Sequence, residues 1–392
     1  MVHRPKGIGI LLALTMGLFM LTPVHAAASA APPPPEVSAQ ACILMEAGTG
    51  QVLCEKNGRE KRPMASTTKI MTVLLTLESG DLDRVFEVDS EAIRVEGSSM
   101  GLREGDLVTR RALCWGMLLP SGNDAANAAA VSVAGSIEAF AERMNARAKE
   151  IGMTRTWFVT PSGLEGEGHG ASAYDMALLA REALQNADFR EMCASPSARV
   201  CFGAPPYERT LYNSNKLLGM YEGVIGVKTG FTDEAGRCLV SACERDGVTL
   251  ICVTLNAPND WQDHIHMYDH GFSRTRAAAL AVPDGLSCPV VGGTDDAVAL
   301  VPAETVPSAT VDGRSPAVET EVQVPPFLLP PLDAGTEVGT LVYRYDGRAI
   351  AAVPLVTAGA VAPAPSDASL WERFERWRLR LAVRWMDSVR LM

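Results

Sequence analysis

Three short stretches of the chain carry side chains that could do chemistry together. Met64-Ala65-Ser66-Thr67-Thr68-Lys69 holds the only S-x-x-K in the sequence. A serine hydroxyl is a poor nucleophile until its proton is removed, and a lysine can remove it only when uncharged. On a helix, positions i and i+3 share a face, which brings Ser66 Oγ and Lys69 Nζ within reach, and burial beside a second cation would lower the lysine's hold on its proton. Ser121-Gly122-Asn123 lies between apolar Met117-Leu118-Leu119 and a helical run starting near Asp124, a polar turn able to present Ser121 and Asn123 to a cleft. Lys228-Thr229-Gly230 ends the apolar strand Val224 to Val227. A cation and a hydroxyl there suit an anionic ligand, while glycine lets a substrate backbone lie along the sheet edge. Each stretch also has a plainer explanation: a solvated helix start, a helix cap, a strand terminator. An S-x-x-K arises by chance roughly once in a few hundred residues. All three in this order, each in a suitable strand or helix, are much harder to obtain by accident.

The elements that must position these residues can be read from periodicity and turn chemistry. Ile43 to Glu46 and Gln51 to Glu55 read as strands joined through Gly48 and Gly50, and Pro63 introduces a helical run from about Ser66 through Leu77. Helical patterns recur from Asp124 to Val133, Ser136 to Ile151 and Ser172 to Leu184, with Ser136 and Ser172 as N-caps of the last two. Val224 to Thr229, Cys238 to Cys243 and Val248 to Leu255 are strand-length apolar runs, the last two joined through Asp246-Gly247. Strands, then helices, then strands predict an α+β domain over 37–275, with an antiparallel sheet closed by elements from both ends. From about Val282 the sequence becomes Pro-rich, with short strands Ala297 to Val301, Thr320 to Val324, Thr340 to Tyr345 and Arg348 to Val353, predicting a small all-β domain over 282–357.

The triplet resembles the signature of the penicillin-binding protein and serine β-lactamase superfamily: S-x-x-K, S-x-N and K-T-G. Arg62-Pro63-Met64-Ala65-Ser66-Thr67-Thr68-Lys69, Ser121-Gly122-Asn123-Asp124-Ala125, Ser172-Ala173-Tyr174-Asp175-Met176-Ala177 and Gly226-Val227-Lys228-Thr229-Gly230-Phe231-Thr232 look like its low-molecular-weight D-Ala-D-Ala carboxypeptidase branch, a similarity running from roughly Val37 to Thr357. The resemblance implies that Ser66 attacks the carbonyl between the two terminal D-alanines, with Lys69 as base and Ser121 relaying the proton to the leaving amine. It implies that Asn123 binds the peptide part of the substrate and that Lys228 and Thr229 hold the terminal carboxylate. The oxyanion hole would be the N–H groups of Ser66 and of a residue just past Gly230, namely Phe231. Peptidoglycan stem peptides are then the substrates, β-lactams the inhibitors, and no metal or organic cofactor is required. Two features depart from the pattern. Asn256 to His264 lacks the arginine some relatives use as a second carboxylate anchor, and the loop Thr160-Pro161-Ser162-Gly163-Leu164-Glu165 has serine where relatives often carry histidine or asparagine. A D,D-endopeptidase on cross-links and a catalytically idle wall-binding scaffold are the competing readings; a β-lactamase would have no use for the β domain.

The ends and the composition set the context. Basic His3, Arg4 and Lys6, an apolar run from Ile8 to Leu21 and small Val24 and Ala26 read as a signal peptide over 1–26, because the run falls short of the roughly 20 residues a membrane span needs. An exported protein at the outer face of the cytoplasmic membrane is expected. Pro32 to Pro35 mark a linker over 27–36, and Ala358 to Ala368 a second one. Over 369–392, Leu370, Phe374, Trp377, Leu381 and Trp385 share one helical face with Trp371 and Val389 beside it, while Arg373, Arg376, Arg380 and Arg384 lie opposite or flank it. This describes a helix in the membrane interface, or one packed on its own protein or a partner, with Arg378 falling on the apolar side. A net charge of −11 argues against a nucleic-acid partner. Nine cysteines leave at least one unpaired. Cys42 with Cys54 and Cys193 with Cys201 could form bridges, though buried apolar packing is favoured for most. His264, His266 and His270 share a helical face only in part, which favours structural roles over a metal site.

Overall fold

The computed structural model describes Met1, residues 33–365, and beyond them Trp371, Phe374, Glu375, Trp377 and Arg378. The signal peptide expected over 1–26 therefore lies outside the described residues apart from Met1, as does most of the helix expected over 369–392. The chain begins with β1 (Ala41–Glu46) and β2 (Val52–Lys56), then a 3-10 turn Ala65–Thr68 that continues into α1 (Lys69–Glu78). β3 (Val85–Glu87), β4 (Leu107–Thr109), α2 (Arg110–Leu118), α3 (Asn123–Ala134), α4 (Ile137–Ile151), α5 (Ala173–Ala183) and α6 (Ala187–Ala194) follow. Next come β5 (Ser197–Gly203), β6 (Pro206–Tyr212), β7 (Val224–Thr232), β8 (Gly236–Arg245), β9 (Val248–Leu255) and α7 (Asp260–Arg274). The remainder is strand: β10 (Thr275–Ala279), β11 (Ser287–Pro289), β12 (Ala297–Pro302), β13 (Pro307–Val311), β14 (Glu319–Gln323), β15 (Glu337–Tyr345) and β16 (Arg348–Thr357).

The central sheet is five-stranded in the order β2-β1-β9-β8-β7, antiparallel throughout. Its inner strands β1 and β9 and the middle of β8 are buried and largely apolar because both faces are covered. Ala41, Ile43 and Met45 of β1 enter the core under the helical block, whereas Cys42 and Leu44 enter the core beneath α7. The same alternation separates Ile251 and Val253 from Leu250 and Cys252 on β9. β7 is thus an edge strand, paired on one side only, and this opens the cleft described below.

Serines cap two helices as expected: Ser136 accepts from Ala139 N at 3.1 Å and Ser172 from Asp175 N at 3.1 Å. The four-stranded sheet β3-β4-β5-β6 was not legible, since β4 meets β5 across nearly a hundred residues of chain. A second five-stranded sheet, β11-β12-β16-β15-β14, encloses its own core around Leu341, Tyr343, Val353 and Leu355.

Two expected boundaries shift. β13 pairs with β10, and its Ala309 and Val311 join the core beneath α7. The linker expected over 358–368 does not leave the β module at once: buried Val361 bridges to Leu332 and Pro363 to Gly293, because Val361 fills that module's core. The two parts of the fold are tied by Arg181 on α5, which donates to Ala47 O at 2.5 Å, to Gly48 O at 2.8 Å and to Ile350 O on β16 at 3.1 Å.

All nine cysteines are free. Strand register explains the first possible pair, since Cys54 lies opposite Leu44 while Cys42 lies opposite Lys56. Of the second pair, Cys193 is buried with its thiol donating to Ile225 O and Cys201 is exposed.

Candidate active site

Ser66 stands in the 3-10 turn, where side chains at i and i+3 eclipse, so Lys69 comes directly over it. Lys69 Nζ lies 2.8 Å from Ser66 Oγ, 2.7 Å from Asn123 Oδ1 and 2.6 Å from Ser162 O. The amide orientation of Asn123 follows from its other end, where Nδ2 donates to Glu96 O at 2.6 Å. Asn123 Oδ1 and Ser162 O can only accept. A neutral lysine amine has two N–H groups and one lone pair, so both N–H groups are consumed by these oxygens and the lone pair is left facing Ser66. Lys69 is fully buried. Burial, then the charge of Lys228, pushes its proton affinity well below that of an ordinary lysine, against a weaker pull upward from Asp124. The i, i+3 spacing thus brings Ser66 Oγ and Lys69 Nζ within hydrogen-bond reach.

The approach of the neighbouring segments is tight enough to demand particular residues. Gly163 holds φ +87°, and a Cβ there would sit 2.0 Å from Ala65 O; the loop that delivers Ser162 O to Lys69 can close only over glycine. Gly230 is required by close packing as well. A Cβ on it would come within 3.0 Å of the backbone nitrogens of both Ser66 and Thr67, so its absence lets β7 pack against the nucleophile turn. Ala65 (φ 48°) and Ser121 (φ 67°) are both non-glycine residues in left-handed backbone, a strain typical of sites that the surrounding structure over-determines.

Opposite Ser66, Lys228 Nζ donates to Ser121 Oγ at 2.9 Å and to Thr229 O at 2.8 Å. It is buried, and burial draws it down to about 7. Thr229 Oγ1 lies 3.0 Å from Ser214 Oγ. Ser214 was not anticipated. It follows β6 in a polar run, Asn213-Ser214-Asn215, that reads as an ordinary turn, yet it adds a second hydroxyl beside Thr229. The structure therefore brings Ser66, Lys69, Ser121, Asn123, Lys228, Thr229 and Gly230 together. Phe231, next on β7, exposes its side chain.

His169 was also missed. Its Nδ1 accepts from Val159 N at 3.0 Å, so in the neutral ring Nε2 carries the hydrogen, which it donates to Thr68 Oγ1 at 2.9 Å. Burial, with Lys61 nearby, lowers its pKa to about 4. The ring thus pins the loop carrying Ser162 to the residue beside Lys69. Asp124, next to Asn123, accepts from Met100 N at 2.9 Å, Gly101 N at 3.1 Å and Leu102 N at 3.0 Å, fixing the wall that Asn123 also grips. The α7 histidines are accounted for structurally: His264 bonds Ser241 and Thr254, His266 lies against Gln262 and His270 against Arg274. Among the described residues no group of three or more His, Cys, Asp or Glu side chains could hold a metal ion.

A serine within hydrogen-bond reach of a buried lysine, with a second buried lysine at a sheet edge, suits serine acyl-transfer chemistry. Comparison with known proteins places it further. Residues 26–259 match the family described as D-alanyl-D-alanine carboxypeptidase, and residues 285–363 match the C-terminal domain of penicillin-binding protein 5. The chain belongs to the D-alanyl-D-alanine carboxypeptidase family. It is 33% identical over 328 residues to the D-alanyl-D-alanine carboxypeptidase DacF of Bacillus subtilis, covering 81% of this chain and 84% of that one. With DacC of Escherichia coli it shares 31% identity over 388 residues, 92% and 94% of the two chains. The crystal structure of penicillin-binding protein 5 from Haemophilus influenzae superposes with a TM-score of 0.62 at 25% identity, covering 84% of this chain and 99% of that one.

Proposed function

We propose that this protein is a serine-type D-Ala-D-Ala carboxypeptidase that trims peptidoglycan pentapeptide stems through Ser66. Ser66 Oγ attacks the carbonyl carbon of the penultimate D-alanine as its proton passes to Lys69. The bond to the terminal amide nitrogen then breaks, the proton reaches that nitrogen by way of Ser121, and free D-alanine leaves. Water, deprotonated by the same lysine, releases the acyl group and restores Ser66. Thr229, Ser214 and Lys228 form the anchor for the terminal carboxylate, and the N–H groups of Ser66 and Phe231 receive the oxyanion. Asn123 first positions Lys69 and meets the substrate's peptide part from there. β-Lactams acylate the same serine. The observation that carries this reading is the saturation of Lys69's two N–H groups by Asn123 and Ser162, which directs the amine's lone pair at the nucleophile.

The test is direct: a fluorescent penicillin labels the wild type covalently and leaves Ser66→Ala unmarked, and wild type releases one D-alanine from a pentapeptide. Cleavage of a cross-linked dimer in preference to the pentapeptide would replace the carboxypeptidase reading with the endopeptidase one. Absence of both activities would favour a scaffold.

The same reading divides the chain into a catalytic domain over 37–275 and a β domain over 282–357, a division supported by the two separately matched stretches. It places the protein outside the cytoplasmic membrane, with the segment over 369–392 lying on the membrane surface. Exposed Trp371 and Phe374 support this, while the contact of Trp377 with Phe327 of the β domain, ring centroids 5.3 Å apart, favours packing on the protein itself. No helix among the described residues is long and apolar enough to cross a membrane. Sedimentation with anionic vesicles of the full chain, but not of a chain ending at residue 365, is the expected result.

A further inference from the structure

Residues 96–102 form the wall that Asn123 and Asp124 grip from inside, and they contain no helix or strand. A segment of that kind keeps its shape only through the groups that hold it. Asn123 N donates to Ser98 O at 2.7 Å, and Asp124 accepts the hydroxyl of Ser99 at 2.5 Å besides the three amides already named. The approach is close: a Cβ on Gly97 would stand 2.7 Å from Asn123 Nδ2. Any drift of this segment therefore moves the Asn123 side chain, whose Oδ1 takes one of the two N–H groups of Lys69.

The outer side of the segment is held by a residue of a different sheet. Arg209 on β6 donates from Nη1 to Gly101 O at 2.9 Å. Strand register explains how it arrives there: Phe202 lies opposite Tyr207, so Tyr207 and Arg209, two residues apart, share its face of the β5–β6 hairpin. The guanidinium lies 4.0 Å from the ring centroid of buried Phe202 and 4.3 Å from that of exposed Tyr207. Gly101 has φ +90°, and a Cβ there would come to 3.3 Å from Arg209 Nη1, so glycine lets the clamp close. Stability alone does not account for the arrangement. Among the described residues Arg209 Nε is buried without an acceptor, and Asp106 Oδ2 stays 4.0 Å from Nη2.

We propose that Arg209 is a positioning residue for the acyl-transfer step: by clamping Gly101 from outside it presses residues 96–102 onto Asn123, and through Asn123 it keeps the amine of Lys69 aimed at Ser66. The four-stranded sheet β3-β4-β5-β6 thereby acquires a purpose in the reaction, since its β5–β6 hairpin carries the clamp. The carboxylate anchor on β7 does not pass through this chain of contacts, so loss of the clamp acts on the chemical step and spares substrate binding. This inference rests on the carboxypeptidase reading above.

The experiment measures kcat and KM for a D-Ala-D-Ala pentapeptide, and the rate of benzylpenicillin acylation, in the full chain and four variants. Arg209→Met keeps an apolar stem beside the rings and removes the donor. Its kcat and its acylation rate should fall about tenfold, the effect of a displacement somewhat under 1 Å, while KM changes less than about twofold. Arg209→Lys, which still offers a cation to the rings and a donor to Gly101 O, should return kcat to within about threefold of wild type. Arg199→Met removes an exposed ion pair to Glu208 from the same hairpin and should leave kcat unchanged. Tyr207→Leu, at an exposed position, should lower kcat about threefold and keeps the test open should Arg209→Met fail to fold. Wild-type kcat in a folded Arg209→Met, a loss that lysine does not restore, or an unchanged kcat in Tyr207→Leu would overturn the clamp. Slower penicillin acylation in Arg209→Met, in an enzyme that releases no D-alanine, would support the clamp and overturn the carboxypeptidase reading, so the two fail separately.

Discussion

Replacing Lys228 with methionine should make the protein more stable and less active, and the structure gives the size of both effects. Lys228 is buried and held at about 7 where an unfolded chain would hold it near 10.5. At about 1.36 kcal/mol per pH unit, keeping that amine charged in the fold costs about 5 kcal/mol in neutral and acidic solution. Methionine fills nearly the same volume without the charge. Against the gain stand Ser121 Oγ and Thr229 O, which lose their donor at a cost of about 1 to 3 kcal/mol. The net expectation at pH 6 is a stabilisation of about 2 to 4 kcal/mol. Its pH dependence is more diagnostic than its size. Between about 7 and 10.5 the folded wild type has lost this proton while the unfolded chain still binds it, so wild-type stability rises with pH and the variant's advantage disappears across that window. Paired denaturant titrations from pH 6 to 10 measure this, alongside kcat/KM for a pentapeptide, which should fall at least about 30-fold as the carboxylate loses its buried cation. A Lys228→Met protein that is less stable at pH 6, or a stability difference that stays flat to pH 10, would refute the argument that burial of this charge dominates.

Other substitutions probe the remaining parts of the site. Gly230→Ala should leave the fold intact yet slow penicillin acylation by about 10²-fold, because the added methyl displaces the backbone of Ser66, and stopped-flow labelling reports it. Ser214→Ala should lower kcat/KM for the pentapeptide about fivefold, the worth of one hydroxyl contact, with no effect on a substrate amidated at its terminal carboxylate. His169 is neutral in the fold down to about 4 while the unfolded ring charges near 6.5, so wild type should lose about 3 kcal/mol as pH falls through that interval. His169→Gln should lack this loss in denaturation curves and show reduced kcat at pH 7, since the loop bearing Ser162 is no longer pinned.

What could be read from the sequence was the chemistry carried by side chains at short spacing. Ser66 and Lys69 are fixed relative to one another by a single turn, and Lys228-Thr229-Gly230 announces itself at the end of an apolar strand. The partners that complete the base were hidden for a physical reason: Ser162 contributes a backbone carbonyl, which any residue possesses, and Gly163 matters only because of what lies 2.0 Å from where its Cβ would be. Ser214 and His169 act through contacts separated by 15 and 101 residues, invisible without the fold. The main sheet was legible because β8 and β9 form a hairpin with a two-residue turn. The β3-to-β6 sheet was not, because β3 and β4 are only three residues long and helices α2 to α6 separate β4 from β5. α7 escaped notice because its histidines and aspartates mask the apolar stripe formed by Met267, Tyr268 and Gly271.

The unpaired side of β7 has a consequence for what may enter. A sheet margin offers alternating amide hydrogens and carbonyls to any stretched polypeptide, and proteins usually blunt such margins with charges or bulges to keep strangers from zipping on. Here admission is policed by walls. The segment held by Asp124 and the loop pinned by His169 frame it, so that the substrate proposed above would add itself as a sixth strand between two fixed walls.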